Sequence, residues 1–300
     1  MTPPTVSVLI VSYNDYELLK RNLPIAREIM LKSGYSFEII GVDNGSHDGS
    51  AEMLSKYCDA VLRIMENKFY VPALNQGYKA CKGELILVTC PDMTWTTSVT
   101  SLIEFAVGHS SILVAPSYRN LDGTPQHYLN HRNVGFLNLF FQSTIIGQYL
   151  DKYIARYALR RRFLYEDFEP STPFEVEWTG GMFILARKYQ DRLRGSDESM
   201  PMFYHDGDYC ERARQLGMKC GVVPSGVVYH RSSASWRGDS GTSRQVAKDF
   251  RVYVRKRMRF RRLLVWPFLL LSSALSAPLV VLLRLKKREL GMFPEELGIS

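Results

Sequence analysis

Acidic side chains are almost missing from one stretch of this chain. Residues 244–288 hold thirteen lysines and arginines and a single acid, Asp249. That stretch alone carries +12, so the rest of a chain with net charge +8 carries −4. A basic tail on a mildly acidic body points to a docking surface, for nucleic acid or for anionic lipid. Cysteine is also sparse: five residues, at 58, 81, 90, 210 and 220, odd in number and without a CxxC pair. That pattern argues against a disulfide scaffold and for a reducing, cytosolic setting, with Cys210 and Cys220 as small buried hydrophobes. The first residues lack a charged leader followed by an apolar core, so a cleaved signal peptide is not expected. No internal repeat is visible.

What the chain does contain is a sequence of short apolar runs that stop abruptly at polar residues. VSVLIVSYN (6–14), FEIIGVDNGSHDGS (37–50) and GELILVTCPDM (83–93) read as strands buried on both faces, as in a parallel sheet. DYELLKRNLPIAREIMLKSG (15–34) has helical apolar spacing and reaches a C-terminal glycine at Gly34. Ser46 or Asp48 can cap a helix over GSAEMLSKYC, followed by a short strand at 60–65 and a loop and helix over 66–83. This alternation gives an α/β domain with right-handed crossovers. SILVAPSY (111–118) and VEWTGGMFILARK (176–188) read as further strands, and KCGVVPSGVVYH (219–230) as two short ones. NLDGTPQ reads as a hairpin or turn, 119–175 as a whole is expected to be a helical insertion facing the acceptor or a membrane, and the Ser/Gly-rich 232–244 is expected to be mobile.

Ligands of such sheets bind beyond the carboxyl ends of the strands. Asn14, Asp43, Asn44 and Asp92 fall on that rim. HDG (47–49) and HDGDYC (205–210) would each pass for surface turns in isolation. In order along the chain, however, Asp92 at a strand end, Asp206 at a helix start and His230 at another strand end can converge on one cleft. A carboxylate with an imidazole suits a divalent metal, and a second carboxylate suits a general base. None of His47, His109, His127 and His131 has a spacing that argues for more than a surface or core role.

The series SYN, DNGSHDGS, LNQG, CPD, WTGG, HDGDYCERARQLG and a final His resembles the inverting family 2 glycosyltransferases of GT-A fold. In style it is similar to bacterial rhamnosyl- and galactofuranosyltransferases of cell-surface polysaccharide synthesis, over roughly residues 5–262. The resemblance implies a Rossmann-like, mostly parallel sheet flanked by helices. It implies donor-binding roles for Ser12, Tyr13, Asn14, Asp43, Asn44, Ser46, Asn67 and Asp92, with Asn75 and Gly77 at a helix start under the nucleotide-sugar. Asp206 would be the general base. Asp92 and His230 would hold Mg²⁺ or Mn²⁺, and Trp178, Gly180, Gly181 and Asp208 would face the acceptor. Trp178 reads equally as core packing, and Asp208 as support for a helix N-terminus. Two positions depart from the pattern: Cys90 stands where the first acid of the metal motif is expected, and His205 where an acid precedes the base.

The expected reaction is transfer of a sugar, rhamnose from a deoxythymidine-diphosphate donor, to a hydroxyl of a polyprenyl-diphosphate-linked saccharide or polysaccharide. A uridine-diphosphate hexose or galactofuranose is the alternative donor, and an inactive nucleotide-sugar-binding scaffold the alternative class. The run 263–283 has 21 residues without a charge, long enough to span a bilayer, but Pro267 and Pro278 interrupt it. It reads as a re-entrant or in-plane membrane segment, or else as a packed helix pair. The expected division is a catalytic domain over 1–243 and a membrane-association segment over 244–300, placing the protein on the cytoplasmic membrane face. Nucleic acid is not expected, since the basic run adjoins apolar residues and lacks an aromatic stacking platform.

Overall fold

A computed structural model of the chain describes residues 5–126, 129–131, 171–231 and 240–257. His127, the bulk of the expected insertion at 132–170, the segment 232–239 and the apolar run 263–283 lie outside the described residues.

The first strands form where continuous apolar runs can be buried on both sides. In β1 (Val6–Ser12), Val8 and Ile10 join one core cluster while Leu9 and Val11 join a second on the opposite face. β4 (Leu85–Thr89) repeats the division, with Leu87 on one side and Ile86 and Val88 on the other. Period-two side-chain direction makes this split inevitable once both faces are covered. β2 (Phe37–Asp43) lies parallel to β1 on its other edge, and β3 (Ala60–Arg63) continues the parallel set.

Helices cover each face through apolar stripes at helical spacing. α1 (Tyr16–Lys32) contributes Leu19, Leu23, Ala26 and Met30, and α2 (Ser50–Tyr57) contributes Leu54, to the first cluster. α3 (Tyr70–Ala80) turns Leu74 and Tyr78 into the second. Gly77 permits that approach, because a Cβ there would collide with Leu9 of β1. Asp48, rather than Ser46, serves the start of α2, where its carboxylate accepts from the Ser50 N–H at 3.0 Å. α4 (Val99–Gly108), α5 (Arg187–Leu193) and α6 (His205–Gln215) complete the two layers.

The remaining strands are β5 (Met93–Trp95), β6 (Ile112–Arg119), β7 (Asn130–His131), β8 (Phe174–Val176), β9 (Trp178–Thr179), β10 (Phe183–Ala186) and β11 (Lys219–His230). The main sheet runs β3-β2-β1-β4-β10-β6-β11-β5, with β8 also on β11, while β7 and β9 form a separate pair. It is mostly parallel. β10 is antiparallel to both its neighbours, and β5 and β8 are antiparallel to β11.

Two expectations require correction. The expected strand at 176–188 is divided among the end of β8, β9, β10 and the start of α5; at the Gly180–Gly181 break Gly181 has φ +71° and the Tyr118 hydroxyl, accepting from the Met182 N–H at 3.0 Å, pins the turn. Conversely, 219–230 is one twelve-residue strand: a bulge between Val223 and Val227 absorbs Pro224, Ser225 and Gly226, so those turn-like residues bend the strand without ending it.

α7 (Ser240–Arg257) begins inside the segment read as mobile, and the boundary at 243/244 falls within it. The helix lies against the body of the fold, where Tyr253 and Val254 bury themselves beside Trp178 and Met200.

Candidate active site

Above the carboxyl ends of β1, β2 and β4, an open cavity of about 740 Å³ is cut into the molecule. That volume lies in the ordinary range for small-ligand pockets. Registry explains why polar residues gather there: Ser12 of β1 pairs with Asp43 of β2, so both strands end at the same height. Ser12, Tyr13, Asn44, Asn67, Asp92, Asp206 and His230 all line the cavity. The three residues expected to converge from distant parts of the sequence do so.

Asp92 and His230 are brought together by the last strand. His230 pairs with Met93 in the antiparallel β11–β5 ladder, and the Arg231 N–H donates to the Asp92 carbonyl at 3.1 Å. The turn carrying Asp92 is fixed from below by buried Asn22 of α1, which donates to the Pro91 carbonyl at 2.8 Å and accepts from the Thr94 hydroxyl at 2.8 Å. As a result Asp92 Oδ2 lies 3.4 Å from His230 Nε2. His230 Nδ1 lies 2.6 Å from Gln126 Oε1, while the Gln126 amide donates to Asn120 Oδ1 at 2.8 Å. A carbonyl oxygen can only accept, so Nδ1 carries the proton and, in the neutral ring, Nε2 turns a lone pair toward the Asp92 carboxylate. Two electron-rich groups facing each other suit a cation held with help from substrate oxygens. Among the described residues no three His, Cys, Asp or Glu side chains form a cation cage on their own.

Asp206 enters from the other wall, one residue into α6. Tyr204, in the left-handed region at φ 60°, turns the chain into that helix. Its carboxylate rests over the Gly180 backbone, where any Cβ would collide with Oδ2. His205 lies against the Tyr70 ring at 5.4 Å, and burial lowers its pKa, so it stands beside Asp206 as a neutral imidazole at neutral pH. Cys90 also lines the cavity, but burial pushes its thiol upward, with the Asp92 charge adding to the effect. A thiol kept protonated there is a poor ligand for a hard cation.

On the opposite side Asn44, 2% exposed, organises the rim. It donates to Asn67 Oδ1 and to the Phe69 carbonyl, and accepts from the Lys68 N–H at 3.1 Å. This holds Phe69 at φ 65° and ψ 174°, a conformation nearly confined to glycine, with its ring 44% exposed at the cavity mouth. Asp43 is 4% exposed, and its Oδ1 is buried without a hydrogen-bond partner among the described residues. Asn14 and Ser46 brace the same rim. Asn14 N–H donates to the Ser46 hydroxyl at 3.0 Å, and Asn14 Oδ1 accepts from the His47 N–H at 2.9 Å.

Other sequence-level candidates sit elsewhere. Asn75 and Gly77 lie in the middle of α3, not at its start. Asn75 ties that helix to the Ser196 backbone, and neither residue lines the cavity. Trp178 is 8% exposed, packed against Gly207, Tyr204 and Tyr253. Asp208 is fully buried, held by Arg212 at 2.8 Å and by Arg257 at 2.6 Å. Gly181 reaches the cavity wall, while Gly180 stands behind Asp206.

Asp15, absent from the sequence-level candidates, lines the cavity too. Burial drives its carboxyl up to about 6, with the Asp92 charge adding and the Tyr13 N–H opposing. Its signal was its place directly after SYN, one residue beyond Asn14 on the same rim. Gln126 had no such signal, because it lies far in the chain from the histidine it steadies.

The family model for "Glycosyl transferase family 2" matches residues 7–168, more than half of the chain. The chain belongs to glycosyl transferase family 2. Curated relatives include the undecaprenyl-phosphate 4-deoxy-4-formamido-L-arabinose transferase of Pseudomonas aeruginosa (strain LESB58), 33% identical over 94 residues. That alignment takes in 29% of this chain and 28% of the relative, well under a third of either. Among solved structures, the mannosyltransferase PcManGT from Pyrobaculum calidifontis, in complex with GDP-Man and Mn²⁺, superposes with TM-score 0.58 at 15% identity. The match covers 98% of this chain and 82% of that one. GalNAc-T7 with UDP, GalNAc and Mn²⁺ superposes with TM-score 0.57 at 19% identity, over 79% of this chain and 45% of that one. At such identities the likeness speaks to fold, and it agrees with the GT-A arrangement of a family 2 glycosyltransferase.

Proposed function

We propose that this family 2 member is an inverting glycosyltransferase that moves a sugar from a nucleotide-diphosphate donor to an acceptor hydroxyl. The observation that carries the reading is the meeting of Asp92, His230 and Asp206 in one cavity whose far wall bears Asn44, Asn67 and Tyr13. Buried Asp43, with an unsatisfied oxygen at the rim, offers an acceptor for an N–H of the donor base, and the exposed ring of Tyr13 a surface for stacking.

In the transfer, the acceptor hydroxyl attacks the anomeric carbon from the face opposite the leaving group. Its proton passes to the Asp206 carboxylate as the bond from carbon to the diphosphate oxygen breaks, and the nucleoside diphosphate departs with that electron pair. General-base assistance of this kind contributes roughly 10²–10⁴ in rate. Asp92 and His230 would hold Mg²⁺ or Mn²⁺, which supplies positive charge to the leaving diphosphate. Mn²⁺ in the two neighbours supports that assignment. Neutral His205 and the Tyr70 ring keep the base in a partly dry setting without placing a competing charge beside it.

The favoured donor is deoxythymidine-diphosphate rhamnose, with uridine-diphosphate hexose or galactofuranose as the alternative. The curated relatives named for undecaprenyl phosphate support a lipid-linked acceptor, presented at the cytoplasmic membrane face. Among the described residues no helix is long and apolar enough to cross a membrane. Membrane attachment is assigned to the basic and apolar stretch 244–288, whose charge is +12.

A thermal-shift screen of nucleotide sugars with and without Mn²⁺ identifies the donor. A ligand at about 100 times its Kd adds roughly 2.7 kcal/mol of stability. With that donor, Asp206→Asn is expected to lose at least 100-fold in turnover while donor affinity stays within twofold. Equal activity in variant and wild type would remove Asp206 from the role of base.

A further inference from the structure

The only acid in the basic stretch 244–288 is also one of the most buried charges in the protein. Asp249 of α7 is 1% exposed. Its Oδ2 accepts from two consecutive backbone N–H groups, Met202 at 3.1 Å and Phe203 at 2.9 Å, and its Oδ1 accepts from the Gln245 amide at 2.6 Å. Met202, Phe203 and Gln245 all line the cavity. The next residue, Tyr204, is the left-handed pivot from which α6 starts, and Asp206 follows two residues later. The backbone groups held by Asp249 are thus three and four residues before the proposed base, and every group it holds lines the cleft.

The same helix grips the turn at other points. The rings of Tyr253 and Phe250 lie tilted against Tyr204 at 5.7 and 5.3 Å between centroids, and Lys256 pairs with Asp197 and donates to the Ser199 hydroxyl at 2.9 Å. These contacts fix the outer side of the 197–204 segment. Asp249 binds its backbone at the Met202 and Phe203 N–H groups, while the Val71 N–H of α3 holds the Pro201 carbonyl at 2.8 Å. A buried carboxylate bonded to backbone N–H groups holds peptide planes more rigidly than apolar packing does.

We propose that Asp249 is a positioning residue for the transfer: it fixes the Met202–Phe203 peptides, and through the Tyr204 pivot the direction of Asp206, and it orients the Gln245 amide at the cleft wall. This rests on the reading of Asp206 as the base. The donor rim at Ser12, Asn44 and Asn67 belongs to other elements of the same cavity, and Asp249 bonds to none of those three residues. A base misplaced by even an ångström loses much of its effect, and the loss falls on kcat.

The test is made on the full chain. Asp249→Ala removes all three acceptor bonds. It is expected to lower kcat 10- to 100-fold with donor KM within twofold, to leave UDP and dTDP binding in the presence of Mn²⁺ unchanged by calorimetry, and to speed amide exchange in the 200–208 peptide. Asp249→Asn keeps an oxygen for the two N–H groups and can pair its amide with a turned Gln245, so it is expected to recover most of kcat. Unchanged kcat in Asp249→Ala overturns the proposal. So does a parallel loss of nucleotide binding and kcat, or failure of Asp249→Asn to recover activity while melting like wild type. The Asp206→Asn variant run alongside keeps the two readings apart: if it is active, the base assignment fails, whereas if it is inactive and Asp249→Ala is not, only the positioning role fails.

Discussion

Asp15 shows how a single carboxyl reports its surroundings. Buried beside Asp92, it holds its proton up to about 6, well above an ordinary aspartate. Between the unfolded value near 4 and that raised value, the folded chain binds more protons than the unfolded one. Stability therefore falls as pH rises through this window. In EDTA, wild-type Tm should decline from pH 4 to pH 6 more steeply than that of Asp15→Asn, and parallel profiles would contradict the assigned burial. Asp92, Asp206 and His230 were legible beforehand because each follows a strand or opens a helix, where an α/β sheet exposes its binding edge. Asp15, Gln126 and Asp249 were not. Their importance comes from partners distant in the chain, and a lone polar residue in a loop or on a basic helix looks like a solvated one.

At the scale of elements, the strands buried on both faces were plain from their unbroken apolar runs, while the later ones were not. Gly180–Gly181 ended a strand that hydrophobicity alone would have continued, and Pro224–Gly226 bent one that turn propensity alone would have ended. The bulge there has a consequence for the site, since it sets the register that brings His230 opposite Met93. Deleting Ser225 would shift the C-terminal half of β11 by one residue and turn His230 to the other face of the ladder. The expected outcome is a folded protein whose Mn²⁺ binding in the presence of UDP, followed by paramagnetic resonance, weakens at least 10-fold. Unchanged Mn²⁺ affinity would show that the register does not set the cation site.

For the whole molecule, the sheet and the cleft have different limits. Asp208 lies at zero exposure between Arg212 of its own helix and Arg257 of α7. Removing one partner from a buried ion pair typically costs about 3–5 kcal/mol, because the remaining charge loses its compensation. Arg212 remains, so Arg257→Met should cost less, roughly 1–3 kcal/mol by denaturant unfolding. A cost near zero would mean that the second arginine is dispensable. Ending the chain at 243 would remove Asp249, Tyr253 and Arg257 together, leaving every strand of the main sheet in place while taking Gln245 from the cavity lining and the anchor from Met202 and Phe203. Recombination between relatives at the last strand would likewise separate Asp249 from the turn it holds, giving offspring with an intact scaffold and a loosened turn before Asp206.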